Sequence, residues 1–192
     1  RREDEDRWRL EYGKILRKKT EPYPFDLGIL AGYMLWMDDD TCREYDMLNL
    51  HPALPDGPKG TWEEVIWELI ENDASEQGAM MHVCTEEWDR GAAVSYCRFP
   101  IRGKDFDRLW NDFEEKLKGR TFGQIKEDEG AEEPLFRKIR EEGAKRELPL
   151  IVSTIGAFAE GKVSLRNKEP YSGNKKLDKA YDLTEEVDAA LR

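Results

Sequence analysis

One stretch limits the fold more than any other: Phe25-Asp26-Leu27-Gly28-Ile29-Leu30-Ala31-Gly32-Tyr33-Met34, a nearly unbroken apolar run preceded by Pro24 and followed by polar residues. A strand with one solvated face alternates polar and apolar side chains. A continuous run instead marks a strand covered on both faces, as in the parallel sheets of α/β proteins. Residues 47–51 (Met-Leu-Asn-Leu-His) form a second short run, stopped by Pro52 and Pro55. Residues 78–85 and 92–101 read as third and fourth strands.

Helical patterns lie between and around these runs. Residues 1–20 place Trp8, Leu10, Ile15 and Leu16 on a charged surface helix, and residues 38–45 suit a short helix. After the turn-forming segment 55–60, Thr61 and Glu64 have the spacing of a capping box, followed by Trp62, Val65, Ile66, Leu69 and Ile70 on one face. Phe106, Leu109, Trp110, Phe113 and Leu117 repeat at helical spacing, and a long helical tract covers about 135–159 with Gly161 as its C-cap. The Gly- and acid-rich segment 118–134 reads as a mobile loop, and residues after 167 as a loop plus a short amphipathic helix. Alternating strands and helices predict an α/β fold with a mostly parallel sheet and helices on both faces. The organisation expected is a main domain over 1–166 and a C-terminal tail over 167–192.

Charge narrows the function. A net charge of -11, with basic residues interleaved among acids, argues against a nucleic-acid backbone as partner and favours a small substrate. No apolar stretch nears the ~20 residues of a membrane span, and no signal peptide opens the chain, so the expected compartment is the cytoplasm. Cys42, Cys84 and Cys97 are odd in number and lack CxxC spacing, which predicts free thiols and no metal site.

The chemistry concentrates at the strand ends, where α/β sheets gather their ligands. Period-two alternation puts Asn49 and His51 on one side of the second strand. The two histidines of the chain, His51 and His82, fall in this region, and Asp89 lies seven residues beyond His82. An amide N–H can hydrogen-bond the oxygen that gains charge in acyl transfer. An imidazole exchanges protons near neutral pH, and a carboxylate holds the imidazole in one state or orients a water. With an amine attacking directly, no serine or cysteine nucleophile is needed.

At these residues the chain resembles the formyltransferase family. The resemblance rests on Leu30-Ala31-Gly32-Tyr33-Met34, on Met47-Leu48-Asn49-Leu50-His51-Pro52-Ala53-Leu54, on Gly60, and on His82 preceding Asp89-Arg90-Gly91, in order over about 25–165. It is strongest to the phosphoribosylglycinamide branch. The resemblance implies a Rossmann-like half-sheet that takes 10-formyltetrahydrofolate as formyl donor and a small-molecule amine, first glycinamide ribonucleotide, as acceptor. Asn49, His51 and Asp89 fall on the family's catalytic residues. Met34, Leu35, Trp36, Met37, Thr85, Glu86, Glu87 and Trp88 fall where the family holds the pterin, Trp36 and Trp88 where it would stack. Pro52 and Glu147 would face the amine substrate, with His82 and Gly91 in support.

Two departures accompany the resemblance. The family opens with a strand, a glycine-containing phosphate loop and a helix, and nothing before Trp8 matches them, so these N-terminal βα units are expected to be missing from this numbering. The stretch 104–134 is longer than in compact members and is expected to cover the site. Three alternatives stay open: a formyltetrahydrofolate hydrolase, a nucleotide-sugar amine formyltransferase, and an inactive folate-binding fragment. Oligomeric state is not legible, a homodimer being one arrangement the sequence allows.

Overall fold

The computed structural model describes residues 2–33, 35, 37–87 and 90–192, and for residues 2, 3, 5 and 6 the backbone alone. In chain order the elements are α1 (Arg2–Thr20), β1 (Gly28–Leu30), α2 (Asp39–Glu44), β2 (Met47–His51), α3 (Trp62–Glu71), β3 (Glu76–Val83) and β4 (Ala93–Pro100). There follow α4 (Asp107–Leu117), α5 (Phe122–Glu129), a 3-10 turn (Gly130–Glu132), α6 (Pro134–Ala159), β5 (Ser164–Arg166), β6 (Glu169–Ser172), β7 (Lys175–Lys176), β8 (Tyr181–Asp182) and α7 (Thr184–Ala190).

The α/β class expected from the strand–helix alternation is the class observed. The main sheet has the order β1-β2-β3-β4-β8 and is parallel at both edges, β1 with β2 and β4 with β8. Its two middle pairings are antiparallel. Between β3 and β4 this follows from chain length, because residues 84–92 are too few for the dozen or more that a parallel crossover needs. The apolar run at 25–34 hydrogen-bonds as a strand only over Gly28–Leu30, all three half-buried. Gly32 takes the left-handed φ of +66°, which a strand does not accommodate, and the run ends there. As an edge strand, β1 is less covered than a continuous apolar run predicts, and Phe25 stays 41% exposed.

The first core lies between one sheet face and α6. Leu48, Ala79, Met81 and Val83 pack there against Leu150, Ile151 and Ala157. On β3 these are the odd-numbered residues, so Met80 and His82 point to the opposite face. The second core joins α3, α4, α5 and the first half of α6: Ile66, Trp67, Phe113, Ile125 and Ile139 surround Phe136, whose ring lies 4.9 Å from that of Trp67.

The segment expected as a mobile loop, 118–134, is ordered. Thr121 accepts from the Gln124 N–H and the Gln124 side chain answers to the Thr121 N–H, a capping box that starts α5. Ile125 is fully buried in the second core, and Lys116 ties Glu129 to the buried Glu133 at 2.5 and 2.9 Å. Glu133 also caps α6 by accepting from the Phe136 N–H. The acids that made the segment look solvated serve as ion-pair partners. It therefore builds a core with α3.

The tail contains the short helix expected, α7, but is not otherwise a loop. β6 pairs with β5 and β7, β8 adds a parallel strand to β4, and Leu183 and Val187 enter the first core. Among the described residues no helix is long and apolar enough to cross a membrane.

Candidate active site

In the antiparallel pairing of β2 with β3, Asn49 stands directly opposite His82. Both side chains leave the face away from α6, and Asn49 Nδ2 lies 3.3 Å from His82 Nε2. The hydrogens follow from the partners. His82 Nδ1 is 3.1 Å from the Val83 carbonyl, which can only accept, so Nδ1 carries the hydrogen. In the neutral ring Nε2 then offers a lone pair and the Asn49 amide donates to it. This turns the Asn49 NH2 toward β3 and leaves its second N–H pointing elsewhere. Asn49 is half-exposed, whereas His82 is buried.

His51 lies two residues further on the same face of β2, its ring 6.3 Å from that of His82 and nearly perpendicular at 84°. Its Nε2 is 3.1 Å from the carbonyl of Pro58. By the same reasoning Nε2 carries a hydrogen. Sequence reasoning took the Pro58–Gly60 turn as a connector; its carbonyl orients the imidazole. The signal was weak, since any loop supplies carbonyls. Pro52 is half-buried beside His51, with its carbonyl accepting from the buried Gln77 side chain at 3.3 Å.

The loop after β3 returns close to where it leaves. Val83 N–H bonds the Ala92 carbonyl at 2.9 Å, and Cys84 N–H the Met47 carbonyl at 2.8 Å. Gly91 is required by this closure: a Cβ there would stand 1.7 Å from the Val83 oxygen, far inside the contact distance of a carbon and an oxygen. Within the loop the Thr85 hydroxyl donates to the Glu87 carbonyl at 3.0 Å, and Glu86 pairs with Arg43 of α2. Asp89, Trp88, Met34 and Trp36 lie outside the described residues. Leu35 is exposed, and Met37 is buried with Cys42 and Met47 in a third small core.

α1 braces this third core. Arg17 donates to Asp38 and Thr41 at 2.6 Å each, and Asp38 caps α2 through the Thr41 N–H. Burial pushes the Asp38 carboxyl up, but hydrogen bonds from Thr41 and Arg17 outweigh it and hold the group below the usual carboxylate range. Gly13 permits the approach, because a Cβ there would meet the Asp38 carboxylate at 1.8 Å. The thiols of Cys42 and Cys84 stand 3.6 Å apart and are not joined as a disulfide.

Glu147 sits on α6 and its carboxylate pairs with Arg140, whose guanidinium lies 5.0 Å from the Trp62 ring at the start of α3. Thus Asn49, His51, His82 and Pro52 come together, and Gly91 closes the loop beside them. Among the described residues no three His, Cys, Asp or Glu side chains gather as a metal-binding group.

A phosphoribosylglycinamide formyltransferase of Dictyostelium discoideum is 32% identical over 105 residues, a stretch that is 50% of this chain and 50% of that protein. The chain thus spans about half the length of the curated relatives it matches. In solved structures, the phosphoribosylglycinamide formyltransferase of Coxiella burnetii superposes with a TM-score of 0.65 at 18% identity, covering 91% of this chain and 69% of that one. A formyltetrahydrofolate deformylase of Pseudomonas syringae pv. tomato gives 0.59 at 16% identity, covering 83% of this chain and 44% of that one. At such identities the two superpositions establish the fold. The formyl transferase profile matches residues 6–116, more than half of the sequence, and the chain belongs to the formyl transferase family.

Proposed function

We propose that the Asn49–His51–His82 group transfers a formyl unit from 10-formyltetrahydrofolate to a small-molecule amine, with glycinamide ribonucleotide the first acceptor to test. The observation that carries this reading is the hydrogen bond between Asn49 and His82, which turns the half-exposed amide so that one N–H remains for a ligand oxygen. The folate supplies an electrophilic formyl carbon. In this reading Asn49 donates to the formyl oxygen as it gains negative charge, a contribution that typically accounts for ~100- to 1000-fold in rate.

His51 takes the proton that the attacking amine must lose, and the proton passes to N10 of the folate as its bond to the formyl carbon breaks and tetrahydrofolate leaves. His82 is a positioning residue, acting through Asn49. Asp89 is proposed to hold the imidazole's charge, and the loop residues Thr85, Glu86 and Glu87, with Leu35 and Met37, to hold the pterin, largely through backbone groups.

The test is release of tetrahydrofolate from 10-formyltetrahydrofolate with and without glycinamide ribonucleotide. Amine-dependent release supports transfer. Release that ignores the amine makes water the acceptor, and folate binding without release in either mixture removes the proposal.

A further inference from the structure

A cavity of about 280 Å3 lies between the chain leaving β4 and one face of α6. It is distant from the site above: along β3 it lies at the Glu76 end, six residues from His82, or ~20 Å at ~3.3 Å per residue. Four cations line it, Arg102, Lys104, Lys138 and Arg146, against two carboxylates, Asp105 and Glu142. From outside the lining Asp73 pairs with Arg102, and Asp188 lies 3.8 Å from Arg146, so the positive surplus of this chain of net charge -11 is confined to the cavity wall.

The two arginines are held in place. Arg102 stacks on Trp110 with its guanidinium carbon 3.6 Å from the ring centroid, and Trp110 is pinned in turn by a 2.6 Å bond to the Ile101 carbonyl. Arg146, only 14% exposed, lies over Phe99 at 4.4 Å and bonds the Glu142 carbonyl at 2.8 Å and its carboxylate at 3.1 Å. Its Nε–H is buried and finds no acceptor among the described residues. A buried donor left unpaired costs ~1–3 kcal/mol.

Glu142 cannot neutralise the group alone. Lys138, Lys145 and Arg146 all share its carboxylate, at 3.0, 2.7 and 3.1 Å. Lys104 makes no hydrogen bond or ion pair with any described residue.

We propose that this cavity binds a small phosphate-bearing anion. A phosphate offers several strong acceptors, enough to meet the Lys104 ammonium and the forked Arg102 together, and charge-assisted bonds of this kind are the strong ones. Phe99, Pro100 and Phe106 supply an apolar wall beside the cations. A carboxylate, with two oxygens and one charge, matches the four donors less well. The site would be independent of formyl transfer, and its test needs no turnover.

The experiment follows the Arg102 and Arg146 side-chain Nε–H resonances while inorganic phosphate replaces chloride at constant ionic strength. Saturable shifts of both resonances are expected. Lys104→Gln, on the exposed connector, is expected to weaken binding about tenfold, the equivalent of ~1.4 kcal/mol. Glu142→Gln removes a competing charge and is expected to tighten it. Opposite changes from two variants cannot come from a general loss of fold. A glycerol phosphate arm separates sources: tighter binding than inorganic phosphate assigns the apolar wall to an organic monoester, and equal binding assigns the site to free phosphate. Absence of saturation, or an affinity that ignores both variants, overturns the proposal.

Discussion

If His82 acts by aiming the Asn49 amide, deleting its ring must cost less than deleting the amide, and nothing once the amide is gone. The bond between them is 3.3 Å, at the long end for a nitrogen donor. Its loss in His82→Leu should cost ~0.5–1.5 kcal/mol of orientation, or about 2- to 10-fold in kcat. Asn49→Ala removes the donor to the formyl oxygen and should cost ~100- to 1000-fold. In the double variant the rate should match Asn49→Ala within about twofold, because His82 then has nothing left to orient. The assay is tetrahydrofolate release at saturating donor and amine. His82→Leu also loses the Nδ1 bond to Val83, so rates are compared well below each variant's melting temperature. A double variant slowed by the product of the two single effects would show that His82 acts on the reaction independently. An unchanged rate in His82→Leu would show that the amide needs no such partner. Either result refutes the reasoning.

Other outcomes follow from the same geometry. Gly91→Ala puts a methyl 1.7 Å from the Val83 oxygen, so the loop must move by over an ångström; a displacement of that size can cost ~100-fold, read as kcat/KM beside a melting curve. Arg17→Met leaves the buried Asp38 carboxylate without its cation and should cost about 3 kcal/mol in denaturant titration at neutral pH. Since Asp38 is held below its ordinary value, its contribution is complete above the usual carboxylate range and is lost as pH falls through the lowered value; the variant should show a flatter acid limb. Phe136→Ala should destabilise by ~3–5 kcal/mol, because the side chain is 1% exposed and packs against Trp62 and Trp67. Burial pushes the Cys97 thiol up to about 11, so in the folded protein it should resist maleimide at neutral pH while the half-buried Cys84 reacts first, as peptide mapping would show.

Local patterns were legible because their causes are local. Period-two alternation put Asn49 and His51 on one face of β2, and the Thr61–Glu64 spacing gave the start of α3, since both depend only on residues a few positions apart. The helical repeats that became α4 and α6 were legible for the same reason. What lay beyond reach depends on chain returning from far away. The pairing of His82 with Asn49 links residues 33 apart in sequence, and it decides which way the amide points. The glycine-rich, acidic segment at 118–134 became α5 only because Lys116 and Arg120 met its carboxylates and the second core covered Ile125. β8 joined the sheet because β4 had an open edge, which no feature of residues 181–182 announces. The sequence by itself determined α3, α4, α6 and the face of β2 that carries Asn49 and His51, because periodicity and capping are properties of neighbouring residues. The tertiary structure alone decided the pairing of β2 with β3, the partner of each imidazole and the clustering of four cations, because those depend on which distant groups come to share one small space.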